Sequence, residues 1–277
     1  MPPDRIYILA DMHVKPLDAP NPVAREMAVA DNERLARFLA HIEDKAAGLV
    51  LLGDTFNFWF ERRSHVSGDY FATLSLFKAA ADAGLEIHHV SGNRDFAVGE
   101  GLGFDPLTRY PGFLRYRQGF TVSRLADYGI EPHGPRYRFH QAGKMVTCVH
   151  GDALCTKDWL FMLLRWCLQG PIGRMTMRRA PWALLDYVFG KYQGRVGVRN
   201  GGRRPFALLD DKAIRKEMAM GGDVLLCGHV HAMYEKDIEV AGRMCRLHVL
   251  PAWLDGGYGI MENGELRVEW FPDSPSD

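Results

Sequence analysis

Five short, largely apolar runs dominate this chain, and each is followed at once by side chains that bind metals. The runs are Ile6–Ala10, Leu49–Leu52, Ile87–Val90, Met145–Val149 and Val224–Cys227. They lead, in the same order, into Asp11-Met-His13, Gly53-Asp54, Gly92-Asn93-Arg94-Asp95, His150-Gly151-Asp152 and Gly228-His229-Val230-His231. Runs this short, ended by glycine or an acid, read as buried strands rather than helices. Loops beyond the carboxyl ends of strands are where open α/β sheets place their sites. Five strand ends of this composition, in this order, are not what core packing produces.

The intervening segments fit such a sheet. Leu35, Phe38, Leu39 and Ile42 recur at spacings of three and four, predicting a helix over 23–47 with Gly48 at its end. A second helix is expected over 69–83, closed by Gly84. Residues 97–120, rich in glycine and proline, read as loop. Expected next are a short helix at 121–129, strands at 136–141 and 144–149, a helix at 206–219 and a strand at 223–227. Residues 232–271 suggest three antiparallel strands with a turn at Asn263-Gly264.

Residues 157–204 differ in character. Ten lysines and arginines face two acids, a net charge of +8 within a chain whose formal charge is zero. The same segment is heavily apolar, and Pro171 and Pro181 break it into short pieces. It reads as a helical lid inserted into an α/β core formed by 1–156 and 205–277. A groove for substrate and plain packing of the lid both fit this composition. Neutral overall charge disfavours nucleic acid as a bulk electrostatic partner. Five cysteines without a C-x-x-C pair suggest free thiols in a reducing compartment, hence a cytoplasmic location. The N-terminus shows no signal region, and no run of about 18 apolar residues predicts a membrane span.

Asp11, His13, Asp54, Asn93, His150, His229 and His231 form a set of oxygen and imidazole donors without thiolate. That chemistry suits Mn, Fe or Zn better than Ca. Seven donors are too many for one ion and suit two ions sharing a bridge, for which Asp54 is the expected residue. Asn93-Arg94-Asp95 taken alone reads as a hydrogen-bonded loop, and the remaining histidines (41, 65, 88, 89, 133, 140, 248) as surface or core residues.

The ordered motifs Asp-x-His, Gly-Asp, Gly-Asn-Arg-Asp, His-Gly-Asp and Gly-His-x-His resemble the calcineurin-like metallophosphoesterase superfamily. The resemblance implies an α/β (α+β) fold: a four-layer αββα sandwich of two mixed sheets flanked by helices. It further implies one metal held by Asp11, His13, Asp54 and His231, and a second by Asp54, Asn93, His150 and His229. A hydroxide bridging the metals would attack phosphorus, with Asn93 and Arg94 in catalytic roles and Arg94 on the phosphoryl oxygens.

Longer strings, Gly92-Asn-Arg-Asp-Phe96 with Gly99 and His150-Gly-Asp-Ala-Leu-Cys-Thr156 with Asp158, resemble the UDP-2,3-diacylglucosamine diphosphatase family of lipid A synthesis. Ala252-Trp253 adds to that likeness. It implies two Mn²⁺ ions, a glycolipid nucleotide substrate cleaved to UMP and an acylated sugar 1-phosphate, and peripheral contact with the cytoplasmic membrane. Arg195, Arg199 and Arg203 in the lid are candidates for phosphate contact. Two other readings stay open: a metallophosphoesterase acting on another phosphomonoester, nucleotide or diester, and a non-catalytic metal-binding scaffold.

Overall fold

The computed structural model describes residues 4–59, 61–62, 65–66, 68–95, 124–156, 180–181, 184 and 209–272. The expected lid over 157–204 lies almost wholly outside these described residues, as do the glycine-rich stretch 97–120 and Arg195, Arg199 and Arg203.

In chain order the elements begin with β1 (Arg5–Leu9), α1 (Pro22–Ile42) and β2 (Ala46–Leu52). A two-stranded ribbon comes next, β3 (Glu61–Arg62) and β4 (His65–Val66), then α2 (Phe71–Asp82) and β5 (Glu86–Val90). After a 3₁₀ turn at Arg124–Tyr128 come β6 (Ile130–Pro132), β7 (Tyr137–Gln141) and β8 (Lys144–Cys148). The chain closes with α3 (Asp211–Ala219), β9 (Val224–Cys227), β10 (Tyr234–Val240), β11 (Arg243–Val249), β12 (Gly257–Glu262) and β13 (Glu265–Trp270).

Two mixed sheets result. One has the order β13-β12-β1-β2-β5-β6, the other β10-β11-β9-β8-β7. Within the first, β1, β2, β5 and β6 are mutually parallel; within the second, β8, β9 and β11 are.

Side-chain alternation builds the layers, because successive residues of a strand face opposite sides of the sheet. Tyr7, Leu9, Leu49, Leu51 and Ile87 point outward onto Leu35, Phe38, Leu39 and Ile42 of α1 and Leu74 and Phe77 of α2. Their neighbours Ile8, Ala10, Val50, Leu52 and Val90 point inward onto Val146, Cys148, Val224 and Leu226 of the facing sheet. Leu225, Cys227, Leu247 and Val249 cover the far side with Ile214 and Met218 of α3. Strands apolar on both faces are therefore continuous hydrophobic runs, which is why five of them stand out in the sequence. The four layers run helix, sheet, sheet, helix.

Local signals set the ends of the elements. Asn21 caps α1 by accepting the Val23 N–H at 3.0 Å, with Pro22 in the first turn, an arrangement that suits the unpaired amides of a helix start. The helix ends at Ile42, earlier than the glycine at position 48 suggests. Ala46 and Gly48 are paired to β1, so Gly48 lies inside a strand. Residues 232–271 form four strands, not three. They divide as two hairpins joined to different sheets, β10–β11 in one and β12–β13 in the other, with a 3₁₀ turn at Trp253–Asp255 between. Strand β6 has no counterpart among the expected elements; three residues are too few to carry a pattern. Among the described residues, Cys148, Cys155, Cys227 and Cys245 are buried. No helix of these residues is long and apolar enough to cross a membrane.

Three hairpin turns share one type. Asn263 and Gly264 have φ of 53° and 77°, Ala241 and Gly242 have 51° and 77°, and Ala142 and Gly143 have 49° and 77°. Two successive positive φ values mark the type I′ turn, which matches strand twist and favours Asn-Gly. Alanine is a poor occupant of that first position. Ala241→Asn is expected to raise the unfolding free energy by about 0.5–1 kcal/mol, since it relieves left-handed strain. A urea midpoint that does not rise, at unchanged slope, would refute this.

Candidate metal centre

The parallel strands β1, β2 and β5 of one sheet and β8 and β9 of the other all end on the same rim of the sandwich. Their loops are tied to one another there. The Asp11 N–H donates to the Gly53 carbonyl at 3.2 Å and the His13 N–H to the Asp54 carbonyl at 2.8 Å, while the Gly228 N–H reaches the His150 carbonyl at 2.8 Å. Two bonds cross between the sheets. His150 Nδ1 lies 3.2 Å from the Leu52 carbonyl, and the His229 N–H donates to Asp11 Oδ2 at 2.8 Å.

This frame brings seven side chains together. His13 Nε2 and His231 Nε2 are 3.3 Å apart, and Asp11 Oδ1 is 3.2 Å from His231 Nε2 and 3.8 Å from His13 Nε2. On the other side, His150 Nε2 is 3.1 Å from Asn93 Oδ1, 3.2 Å from His229 Nδ1 and 3.6 Å from Asp54 Oδ1. Asp54 faces both groups, because its Oδ2 is 3.8 Å from His13 Nε2. Since only a protonated Nδ1 can donate to the Leu52 carbonyl, that contact leaves Nε2 as the His150 nitrogen that faces the cluster.

Two groups of donor atoms have metal-ligand spacing here: Asp11, His13 and His231, and Asp11, Asp54 and His150. The fit to cations is supported by unmet demands within the site. Asp11 Oδ1 and His13 Nδ1 are buried without a well-formed hydrogen bond, a costly condition for polar atoms. Asp11 and Asp54 are both buried acids. Burial pushes the Asp54 carboxyl up, and the charges of Asp95 and Asp11 add to this against His150 and Arg94. Burial likewise opposes ionisation of Asp11, but His231, His150 and His13 hold its carboxyl below the usual range. Burial lowers His13 to about 3 and His229 to about 4. It opposes the charge on His150 too, yet Asp54 and Asp11 pull that ring up to about 9. Two buried acids that draw positive charge toward them, beside His13 and His229 rings that burial keeps neutral, are the electrostatics of a cation site.

Strain marks the same residues. Asp11, His13, Asp54, His229 and His231 all have φ between 48° and 68°. Left-handed backbone at a residue other than glycine costs about 1–3 kcal/mol and collects at functional sites. The glycines beside them are crowded out of any side chain. A Cβ on Gly92 would fall 2.2 Å from Asp54 Oδ1 and 2.4 Å from the Asp54 nitrogen. A Cβ on Gly53, whose φ is 79°, would fall 2.6 Å from the His150 ring.

Arg94 stands at the edge of the cluster. Its Nη1 donates to Asn57 Oδ1 at 2.7 Å, its Nε is 3.7 Å from Asp54 Oδ2, and its own N–H donates to Asp54 Oδ1 at 2.8 Å. Its side chain is 27% exposed, so the guanidinium is open to solvent while held on one side.

Three residues outside the expected donor set complete the site. Asp95 is fully buried and accepts N–H groups from Gly92 at 2.6 Å, Asp54 at 3.2 Å and Thr55 at 2.7 Å. His89 is also fully buried, and its Nε2 lies 3.1 Å from Asp95 Oδ2. Burial opposes the Asp95 charge, but His89 and the Gly92 amide bring its carboxyl below the usual range. Asn57 holds Arg94. The acid that closes Gly-Asn-Arg-Asp is the available sign for Asp95; nothing local marks His89 or Asn57.

Because no space exists for a Cβ on Gly92, Gly92→Ala is expected to displace Asp54 and destabilise the fold by about 1–3 kcal/mol, the scale of overpacking. Chemical denaturation together with Mn²⁺ titration checks this. Wild-type stability and Mn²⁺ affinity in that variant would refute the packing described here.

No family model matches the chain. Curated relatives do. UDP-2,3-diacylglucosamine hydrolase of Aeromonas hydrophila is 28% identical over 241 residues, 85% of this chain and 89% of that one. The proteins of the same name from Ectopseudomonas mendocina and Azotobacter vinelandii are 26% and 27% identical, each over 82% of this chain and 86% of theirs. Among solved structures, the phosphoesterase Yfce of E. coli aligns over 97% of this chain and 94% of its own, with 14% identity and a TM-score of 0.42. In sequence, over about four-fifths of its length, this chain is similar to UDP-2,3-diacylglucosamine hydrolases.

Proposed function

We propose that this chain is a dinuclear metal-dependent hydrolase that cleaves the anhydride of UDP-2,3-diacylglucosamine to UMP and 2,3-diacylglucosamine 1-phosphate. The observation that carries the reading is the convergence of four imidazoles, two buried carboxylates and one amide on one rim, with five of those residues held in left-handed backbone. A non-catalytic scaffold has no use for that strain. The names of the relatives support the substrate.

In this reading Asp11, His13, Asp54 and His231 hold one divalent ion, and Asp54, Asn93, His150 and His229 hold the other. Mn²⁺ is the proposed metal in both. Such ions supply Lewis acidity toward a phosphoryl oxygen and lower the pKa of water. The chain supplies the rest. Asp54 keeps one carboxylate oxygen toward each group. The carbonyl of Leu52 fixes the tautomer of His150. Asn93 sets its Oδ1 3.1 Å from His150 Nε2. Arg94, braced by Asn57, presents its fork to the phosphoryl oxygens, where a guanidinium offers paired donors.

Residues 157–204 are proposed as an inserted helical lid over a core of 1–156 and 205–277. Its apolar and basic composition suits acyl chains and a diphosphate together, with Arg195 and Arg199 as phosphate contacts. A cytoplasmic protein resting on the inner membrane surface is consistent with such a substrate.

The direct test is UMP release from UDP-2,3-diacylglucosamine by purified protein with Mn²⁺, beside bis-p-nitrophenyl phosphate. Release that is lost with a chelator is the expected result. Diester cleavage without UMP release would leave the metal reading and overturn the substrate. Asp54→Ala is expected to lower Mn²⁺ occupancy and abolish turnover, and wild-type activity in it would exclude the shared-ligand assignment. Arg94→Ala should retain both metals while kcat falls by roughly 10²–10³, the scale of one lost oxyanion donor; an unchanged kcat would remove Arg94 from the reaction.

A further inference from the structure

A second group of donors, near the edge of the first sheet, shares no residue with the strand-end cluster. His88 of β5 and Glu131 of β6 are register partners in neighbouring parallel strands. Their neighbours Ile87 and Ile130 belong to the outer core beneath the helices. Alternation therefore turns His88 and Glu131 to the opposite face of the sheet. His133 lies two residues after Glu131, and its N–H donates to the His89 carbonyl at 2.9 Å.

The donor atoms converge. His88 Nδ1 is 3.0 Å from His133 Nε2 and 3.4 Å from Glu131 Oε2, and His133 Nε2 is 3.8 Å from Glu131 Oε2. Ligands at zinc distances of about 2.0–2.2 Å in tetrahedral geometry stand about 3.4 Å apart. The observed spacings bracket that figure. Two imidazoles and one carboxylate are a recognised zinc set that leaves a fourth position for water.

The surroundings fix the ligands. The Tyr137 ring from the edge of the other sheet stacks on His88 at 4.4 Å and lies 4.2 Å from the His133 ring. The other nitrogen of His88, Nε2, has the exposed carboxylate of Glu86 nearby, its Oε2 at 3.9 Å. The two rings are mostly buried, at 13% and 20% exposure, while Glu131 is open to solvent at 67%, which leaves a route of entry.

We propose that His88, Glu131 and His133 form a second metal site that binds one Zn²⁺ ion, independent of the strand-end cluster. The ion pins the short edge strand β6 to β5. Just beyond it, the Ser91 N–H donates to the Gly134 carbonyl at 2.7 Å, and two residues later comes Asn93. The site thus braces the edge of the sheet from which that loop departs. The inference does not rest on the hydrolase reading.

The test compares metal content. Chelator-stripped full-length protein is loaded with Zn²⁺, desalted and measured by atomic absorption as wild type, His133→Gln and Glu131→Gln. Each variant is expected to hold one Zn²⁺ per chain fewer than wild type, with Mn²⁺-supported cleavage of bis-p-nitrophenyl phosphate within about twofold of it, since neither residue belongs to the other cluster. Should His133→Gln lose its far-UV circular dichroism, Glu131→Gln, altered at an exposed side chain, decides alone. Equal zinc content in wild type and folded variants would overturn the proposal and leave the three side chains as a hydrogen-bonded cluster.

Discussion

The carboxylate of Asp95 ties together the two loops that carry Asp54 and Asn93. Fully buried, it accepts three main-chain N–H groups and faces His89. Hydrogen bonds to an ionised acceptor are stronger than neutral ones, and a buried one left unmade costs about 1–3 kcal/mol. The turn after β5 and the turn after β2 are thereby locked at a fixed separation. Asp11 does the same between the sheets, since its Oδ2 accepts the His229 N–H from the loop after β9. Without these ties five loops from two sheets would have no reason to keep one geometry.

That rigidity explains how the strained backbone persists. Five non-glycine residues of the cluster sit in the left-handed region, and such conformations survive only where the surroundings over-determine them. The glycines at 53 and 92 contribute by absence: the space their side chains would take is filled by His150 and Asp54. Close packing of the loops and convergence of the donors are one requirement.

The layered core sets the scale on which this works. Strict alternation sends Tyr7 and Leu9 to the helices and Ile8 and Ala10 to the facing sheet. A slip of one residue in β1 would exchange the faces and move Asp11 out of place. Arg136 and the fully buried Glu217 form a two-bond pair between the approach to β7 and α3. Hydrophobic register thus positions the rim from below.

Much of this is legible in the sequence. Continuous apolar runs ending in Gly, Asp or His mark the five parallel strands and the donors beyond them, because strands buried on both faces leave no polar alternation to obscure them. The helix of Leu35, Phe38, Leu39 and Ile42 and the turn at Asn263-Gly264 come from periodicity and turn chemistry, both local properties. The end of α1, the three-residue β6 and the split of residues 232–271 between two sheets are not legible there, since pairing partners distant in the chain decide them. The same holds for the contacts of His89, Asp95 and Asn57, and for the meeting of His88 with Glu131 and His133. Residue type and spacing along a strand determine what a side chain can donate. Which donors meet depends on long-range register, and only the tertiary structure decides that.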